Sequence, residues 1–114
     1  MTAPEKRDLC CKLIQDKQGN DLVCLDMQDI TTIADYFIIC TGEADVHLKA
    51  LADAVLKGMK EQGASCWHIE GYTERRWILL DFADVVVHIF CEELRSLYEL
   101  EKLWGDARLT AVGV

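Results

Sequence analysis

Apolar positions recur along the chain with two different periods, and the switches between those periods mark its elements. From Pro4 to Lys17, Leu9, Cys10, Leu13 and Ile14 fall at helical spacing. Pro4 suits a first helical turn, and Gly19 can close the helix in a left-handed conformation. "DLVCLDM" (Asp21 to Met27) and "DYFIICT" (Asp35 to Thr41) are short runs rich in β-branched and aromatic types. The polar stretch "QDITTIA" separates them, so they read as two strands. Past Gly42, Val46, Leu48, Leu51, Ala52, Val55, Leu56 and Met59 form a helical stripe, with Asp45 near its start and Gly63 past its end. A strand, a turn and a long helix leading into another strand make a crossover unit, which favours parallel pairing of the strands it joins.

The second half continues in the same manner. "SCWHIE" is a third strand, ended by "GYTER". In the fourth, "RWILLDF", Trp77, Leu79 and Asp81 face one side while Ile78, Leu80 and Phe82 face the other. The fifth, "DVVVHIFC", sets Val85, Val87 and Ile89 against Val86, His88 and Phe90, the pattern of a strand covered on both sides. "DFAD" is short enough to be a tight hairpin turn. A last helix from about Glu92 to Trp104 carries Leu94, Leu97, Tyr98, Leu100, Leu103 and Trp104, and Gly105 ends it. The expected order is α-β-β-α-β-β-β-α, a single α/β domain over residues 1–107, with a flexible tail over 108–114.

Composition narrows the possible functions. At 114 residues one core must serve most of the chain. No apolar run approaches the roughly 20 residues a spanning helix needs. The N-terminal stretch "MTAPEKRDLCCKLIQ" lacks the profile of a secretory signal, so a soluble cytoplasmic protein is expected, with no membrane partner. Six cysteines without a CxxC pair fit buried thiols better than a disulfide framework or a zinc site, and no metal or cofactor is expected. Twelve basic against 20 acidic residues give a net charge of −8, which disfavours direct nucleic-acid contact and points to a basic partner.

Three places could carry chemistry or recognition. Asp81, Asp84 and His88 could converge at the hairpin for acid–base or metal work. Against this, Asp at a tight turn commonly bonds to the backbone, and a histidine inside an apolar strand is usually a satisfied core residue. "TGEAD" before the second helix could present amides to an anion, but Glu43 and Asp45 would repel it and no phosphate-loop motif is present. The last segment places Trp77, Tyr98 and Trp104 near Glu92, Glu93, Glu99, Glu101 and Asp106. Aromatic anchors ringed by acidic groups suit a docking surface, although aromatics on a helix stripe more often face a core.

"ADYFIICTG" with "LKALADAV", then "EG", "RWILLDFADVVVHIF" and "RSLYELEKLW", resemble the ribosomal silencing factors, also called Iojap-like proteins, in order and spacing. The resemblance runs from about residue 5 to Ala107. It implies a mixed five-stranded sheet flanked by helices, related to nucleotidyltransferases but without their glycine-serine loop and paired aspartates. It implies a non-enzymatic translation regulator, often a homodimer, that represses protein synthesis under nutrient limitation. Such a protein binds the large ribosomal subunit through its protein numbered fourteen and sterically blocks association with the small subunit. Carried onto this chain, the docking surface falls on Trp77, Asp81, Tyr98, Glu99, Glu101 and Trp104. The alternative is a nucleotide- or metal-binding enzyme using Asp81, Asp84 and His88. The chain departs from the family pattern in two places. Ala83 stands where the family has glycine, so a turn needing positive φ would be strained. "EADVHLK" replaces a segment that often bears serine and glutamine.

Overall fold

The computed structural model describes the backbone of residues 1–98 and 108–111 and the side chains of residues 1–95. The elements are α1 (Ala3–Asp16), β1 (Asn20–Asp26), β2 (Tyr36–Gly42), α2 (Asp45–Glu61), β3 (His68–Glu70), β4 (Trp77–Asp81), β5 (Val85–Cys91), α3 (Glu92–Tyr98) and β6 (Arg108–Ala111). All five expected strands are present, each within a few residues of the bounds that periodicity sets. They form a mixed α/β domain with three helices, and the sheet order is β3-β4-β5-β2-β1-β6.

The helix ends show the local chemistry. α1 opens with a capping box, in which Thr2 accepts from the Glu5 amide and Glu5 accepts from the Thr2 amide. At its other end the Gly19 amide donates to the Ile14 carbonyl and the Gln18 amide to that of Gln15, both at 3.0 Å. That is a Schellman closure. Its left-handed residue is Gln18 (φ 59°), not the expected Gly19. α2 closes in the same way on Gly63 (φ 87°), as its sequence predicts.

α1 and α2 lie together on one face of the sheet. Cys10 and Ile14 from α1 and Leu48, Leu51, Val55 and Met59 from α2 pack on Ile38, Cys40, Ile78, Leu80, Val87 and Ile89. These are the alternate residues of β2, β4 and β5, so the period of two in the strands meets the period of 3.6 in the helices in one core. On the opposite face a smaller cluster of Leu25, Met27, Ile39 and Phe90 is joined by half-buried Val23, Phe37, Trp77 and Leu94. α3 closes one end of this second face. The Arg95 guanidinium donates to the Thr41 hydroxyl and to the Asp21 carbonyl, each at 3.0 Å.

Two further expectations are corrected. β2 and β3, the strands joined by α2, are not neighbours, because the strand paired in parallel with β2 is β5, with Tyr36 opposite Val85 and Gly42 opposite Cys91. β3 runs in the same direction as β2 but sits at the far edge, beyond the β4–β5 hairpin. The crossover rule fixed its direction, and the hairpin took the adjacent place. The expected tail at 108–114 is also revised, because Arg108–Ala111 pairs antiparallel with β1 from Asp26 to Val23. Ladder bonds between backbones need no apolar alternation, so this strand leaves little trace in the side chains.

Candidate functional site

The β4–β5 hairpin builds the candidate site. Asp81 lies opposite Val86, Leu79 opposite His88, and Trp77 opposite Phe90. Side chains directly opposed in a ladder share a face, so Trp77, Leu79 and Asp81 stand with Phe90, His88 and Val86 on the face away from α1 and α2. Phe37 and Ile39 of β2 continue this face. Trp77, Leu79 and Asp81 are half-buried, whereas Val86, His88 and Phe90 are buried. The hairpin therefore lays an aromatic floor with a tryptophan at one end and a carboxylate at the other.

The connections within it are specific. The Trp77 indole N–H donates to His88 Nδ1 at 3.1 Å. The Trp77 ring lies 4.8 Å from that of Phe90, and Phe37 meets His88 edge-on at 4.8 Å. Because Nδ1 accepts, the imidazole is the neutral tautomer with its proton on Nε2. Burial pushes its pKa down to about 4. Among the described residues Nε2 itself has no hydrogen-bond partner. The expectation of a satisfied core histidine thus holds for one ring nitrogen and not for the other.

The two aspartates act separately. Asp81 accepts from the Ala83 amide at 2.8 Å, so it braces the turn as expected of an aspartate at that position. Asp84 instead pairs with Lys6 of α1 at 2.8 Å. Ala83 adopts φ 75°, the strained conformation that the missing glycine foretells. Asp81, Asp84 and His88 do not converge: one bonds to the turn, one is drawn to α1, and the imidazole lies under Trp77. Among the described residues no group of three His, Cys, Asp or Glu side chains could hold a metal ion. The geometry does not assemble the nucleotide or metal site of the alternative reading. In the "TGEAD" segment the Glu43 amide is already engaged, donating to His47 Nδ1 at 2.9 Å.

Cys10, Cys11, Cys24 and Cys40 are buried and free, and Cys66 and Cys91 are half-buried and free. Burial raises the thiols of Cys24 and Cys40 to about 12 and that of Cys11 to about 11, so all three stay protonated and unreactive at neutral pH.

Of the residues expected at a docking surface, the structure brings Trp77 and Asp81 onto one face. The side chains of Tyr98, Glu99, Glu101 and Trp104 lie outside the described residues. Two features escaped the sequence reading. One is the Trp77–His88 bond, which the two-residue turn at Ala83 and Asp84 would have revealed by fixing the register of the hairpin. The other is Trp67, 76% exposed beside the edge strand β3. The strand pattern around Trp67 has no apolar alternation to assign it a face. No helix among the described residues is long and apolar enough to cross a membrane.

The family model described as "Ribosomal silencing factor during starvation" matches residues 1–113. The chain is 42% identical over 107 residues to "Ribosomal silencing factor RsfS" of Halalkalibacterium halodurans, covering 94% of this chain and 92% of that protein. To the Bacillus subtilis protein of the same name it is 47% identical over 94 residues, covering 82% and 80%. It is also 30% identical over 100 residues to the mouse "Mitochondrial assembly of ribosomal large subunit protein 1", covering 85% of this chain and 44% of that longer protein. A crystal structure from Chromobacterium violaceum superposes with a TM-score of 0.90 at 33% identity, covering 99% of this chain and 95% of that one. Another, from Bacillus halodurans, gives 0.85 at 36% identity, covering 96% and 99%.

Proposed function

The chain belongs to the ribosomal silencing factor family, and on that premise we propose that it binds the large ribosomal subunit and blocks joining of the small one. The observation that carries this reading is the face on which Trp77, Leu79 and Asp81 align, half-buried over a buried floor of Phe90, His88 and Val86. A partly desolvated tryptophan on the same strand face as a carboxylate is the kind of anchor that protein interfaces use. The net charge of −8 favours a basic partner, and the resemblance to the family implies that this partner is the large-subunit protein numbered fourteen. Tyr98, Glu99, Glu101 and Trp104 extend the same surface in this reading. The action is steric and needs no catalytic step or cofactor. It takes place in the cytoplasm, with the protein as a homodimer, and contact with ribosomal RNA is minor. The name of the mouse relative, which ties that protein to the ribosomal large subunit, supports the choice of subunit.

The test is sedimentation of the protein with purified large subunits, followed by addition of small subunits. The expected result is co-sedimentation with large subunits and a reduced yield of complete ribosomes. Trp77→Ala and Asp81→Asn should weaken both effects, the latter with the turn kept because Asn still accepts from the Ala83 amide. Normal ribosome formation at saturating protein overturns the proposal.

A further inference from the structure

The geometry points to His88 as the positioning residue of the docking face: its Nδ1 holds the Trp77 indole in the orientation that meets the large subunit. This inference rests on the docking reading above and adds a residue that does not itself touch the partner. His88 is only 4% exposed. Phe37 stands edge-on to it at 4.8 Å, and Phe90 lies parallel to it at 6.3 Å. In such surroundings an imidazole costs more to bury than an apolar side chain, and among the described residues its Nε2 has no partner. Packing alone does not account for the residue. Among the described residues the ring makes one hydrogen bond, accepting from the Trp77 N–H at 3.1 Å. That bond, with the Phe90 ring 4.8 Å beneath the indole, restrains a side chain that a strand surface would otherwise leave to rotate. A large anchor already held in its bound rotamer spares the ordering cost of association.

If His88 acts through Trp77, the two are not independent. Four variants of the full chain separate this from a structural role: His88→Leu, His88→Asn, Trp77→Phe and the double variant Trp77→Phe/His88→Leu. Their affinity for purified large subunits is measured alongside thermal unfolding and the indole N–H signal of Trp77 in proton–nitrogen NMR. Loss of this one buried bond should weaken binding about tenfold in His88→Leu. His88→Asn, whose side-chain oxygen falls near the position of Nδ1, should restore most of the affinity and of the indole signal. Trp77→Phe keeps a ring and removes the N–H, so the double variant should bind no more weakly than Trp77→Phe alone. If His88→Leu does not fold, His88→Gln, with its amide displaced toward the Nε2 position, replaces it in both the single and the double variant. Wild-type affinity in His88→Leu, losses that add in the double variant, or no rescue by asparagine would overturn the inference while leaving the docking reading in place. Absence of large-subunit binding by the wild-type protein would overturn that reading, and this inference with it.

Discussion

Lys6 and Asp84 are 78 positions apart in the chain, yet the ammonium of one lies 2.8 Å from the carboxylate of the other. The same ammonium donates to the Phe82 carbonyl at 3.1 Å. The first turn of α1 is thereby fastened to the β4–β5 hairpin. The Lys6 side chain is 17% exposed, so the pair is better shielded than an ordinary surface ion pair. Lys6→Met should therefore lower the unfolding free energy by about 1 kcal/mol. The expected observation is a lower urea midpoint with an unchanged slope, and an unchanged midpoint would show that the fastening contributes nothing.

Ala83 and Gln18 both occupy left-handed backbone, at φ 75° and 59°. The Asp84 amide donates to the Phe82 carbonyl at 3.1 Å around Ala83, which is the tight three-residue closure of a γ-turn. A side chain in this region costs roughly 1–2 kcal/mol, part of which glycine returns through the entropy of the unfolded chain. Ala83→Gly and Gln18→Gly should each stabilise the fold by about 0.5–1 kcal/mol. Melting temperatures a few degrees higher, additive in the double variant because the sites share no contact, would bear this out.

Gly71 and Gly63 are both at positive φ but differ in their surroundings. A Cβ on Gly71 would stand 1.9 Å from the Trp77 carbonyl oxygen, whereas one on Gly63 would meet nothing within 4 Å. Gly63→Ala should cost only the backbone strain, about 1 kcal/mol. Gly71→Ala must also push β4 away from the preceding turn and should cost more than about 2 kcal/mol. It should also shift the Trp77 indole resonance. Equal losses for the two variants would contradict the steric argument.

His88 should make the protein sensitive to acid. Its folded pKa lies near 4, against 6.5 for a free imidazole, because burial disfavours the charged ring. Below pH 6.5 the unfolded chain takes up a proton that the folded chain refuses, so stability falls as pH drops from about 6.5 towards 4 and is fully present above that window. The shift corresponds to roughly 3 kcal/mol over the whole window. Unfolding free energies measured from pH 7 to pH 5 should therefore decline more steeply for the wild type than for His88→Asn. Parallel curves would place the imidazole in contact with water.

Local periodicity made the elements legible, because each helix and strand buries a face that repeats at its own spacing. The order of the strands was less legible, since β2 could have paired with β3 or β5 and only the intervening β4–β5 hairpin decides between them. Gln18 took the place expected of Gly19 because the left-handed position is counted from the last helical hydrogen bond, and glycine one residue later still serves to let the chain pass Ile14. The strand at Arg108–Ala111 left no alternation to detect. At the site, the turn role of Asp81 and the strain at Ala83 were readable from a two-residue turn and one missing glycine. The capture of Asp84 by Lys6 depends on where α1 lies across the sheet, which no local pattern encodes. Of the six residues expected at the docking surface, Trp77 and Asp81 can be placed, and they share a face for the reason the strand pattern gave.

The parallel pairing of β2 with β5 also bears on how the molecule comes into being. Tyr36 must wait for Val85 to be synthesised before its ladder can form on that side, so the middle of the sheet is joined after both of its flanks can exist. α1, β1, β2 and α2 can assemble early from contacts close in sequence, leaving one flank of β2 temporarily bare. That flank exposes the backbone N–H and C=O groups of an apolar strand, Ile38, Ile39 and Cys40 among them, a template on which a second nascent chain could pair. Arrival of the β4–β5 hairpin removes this hazard, so slow supply of the second half should favour aggregation over folding.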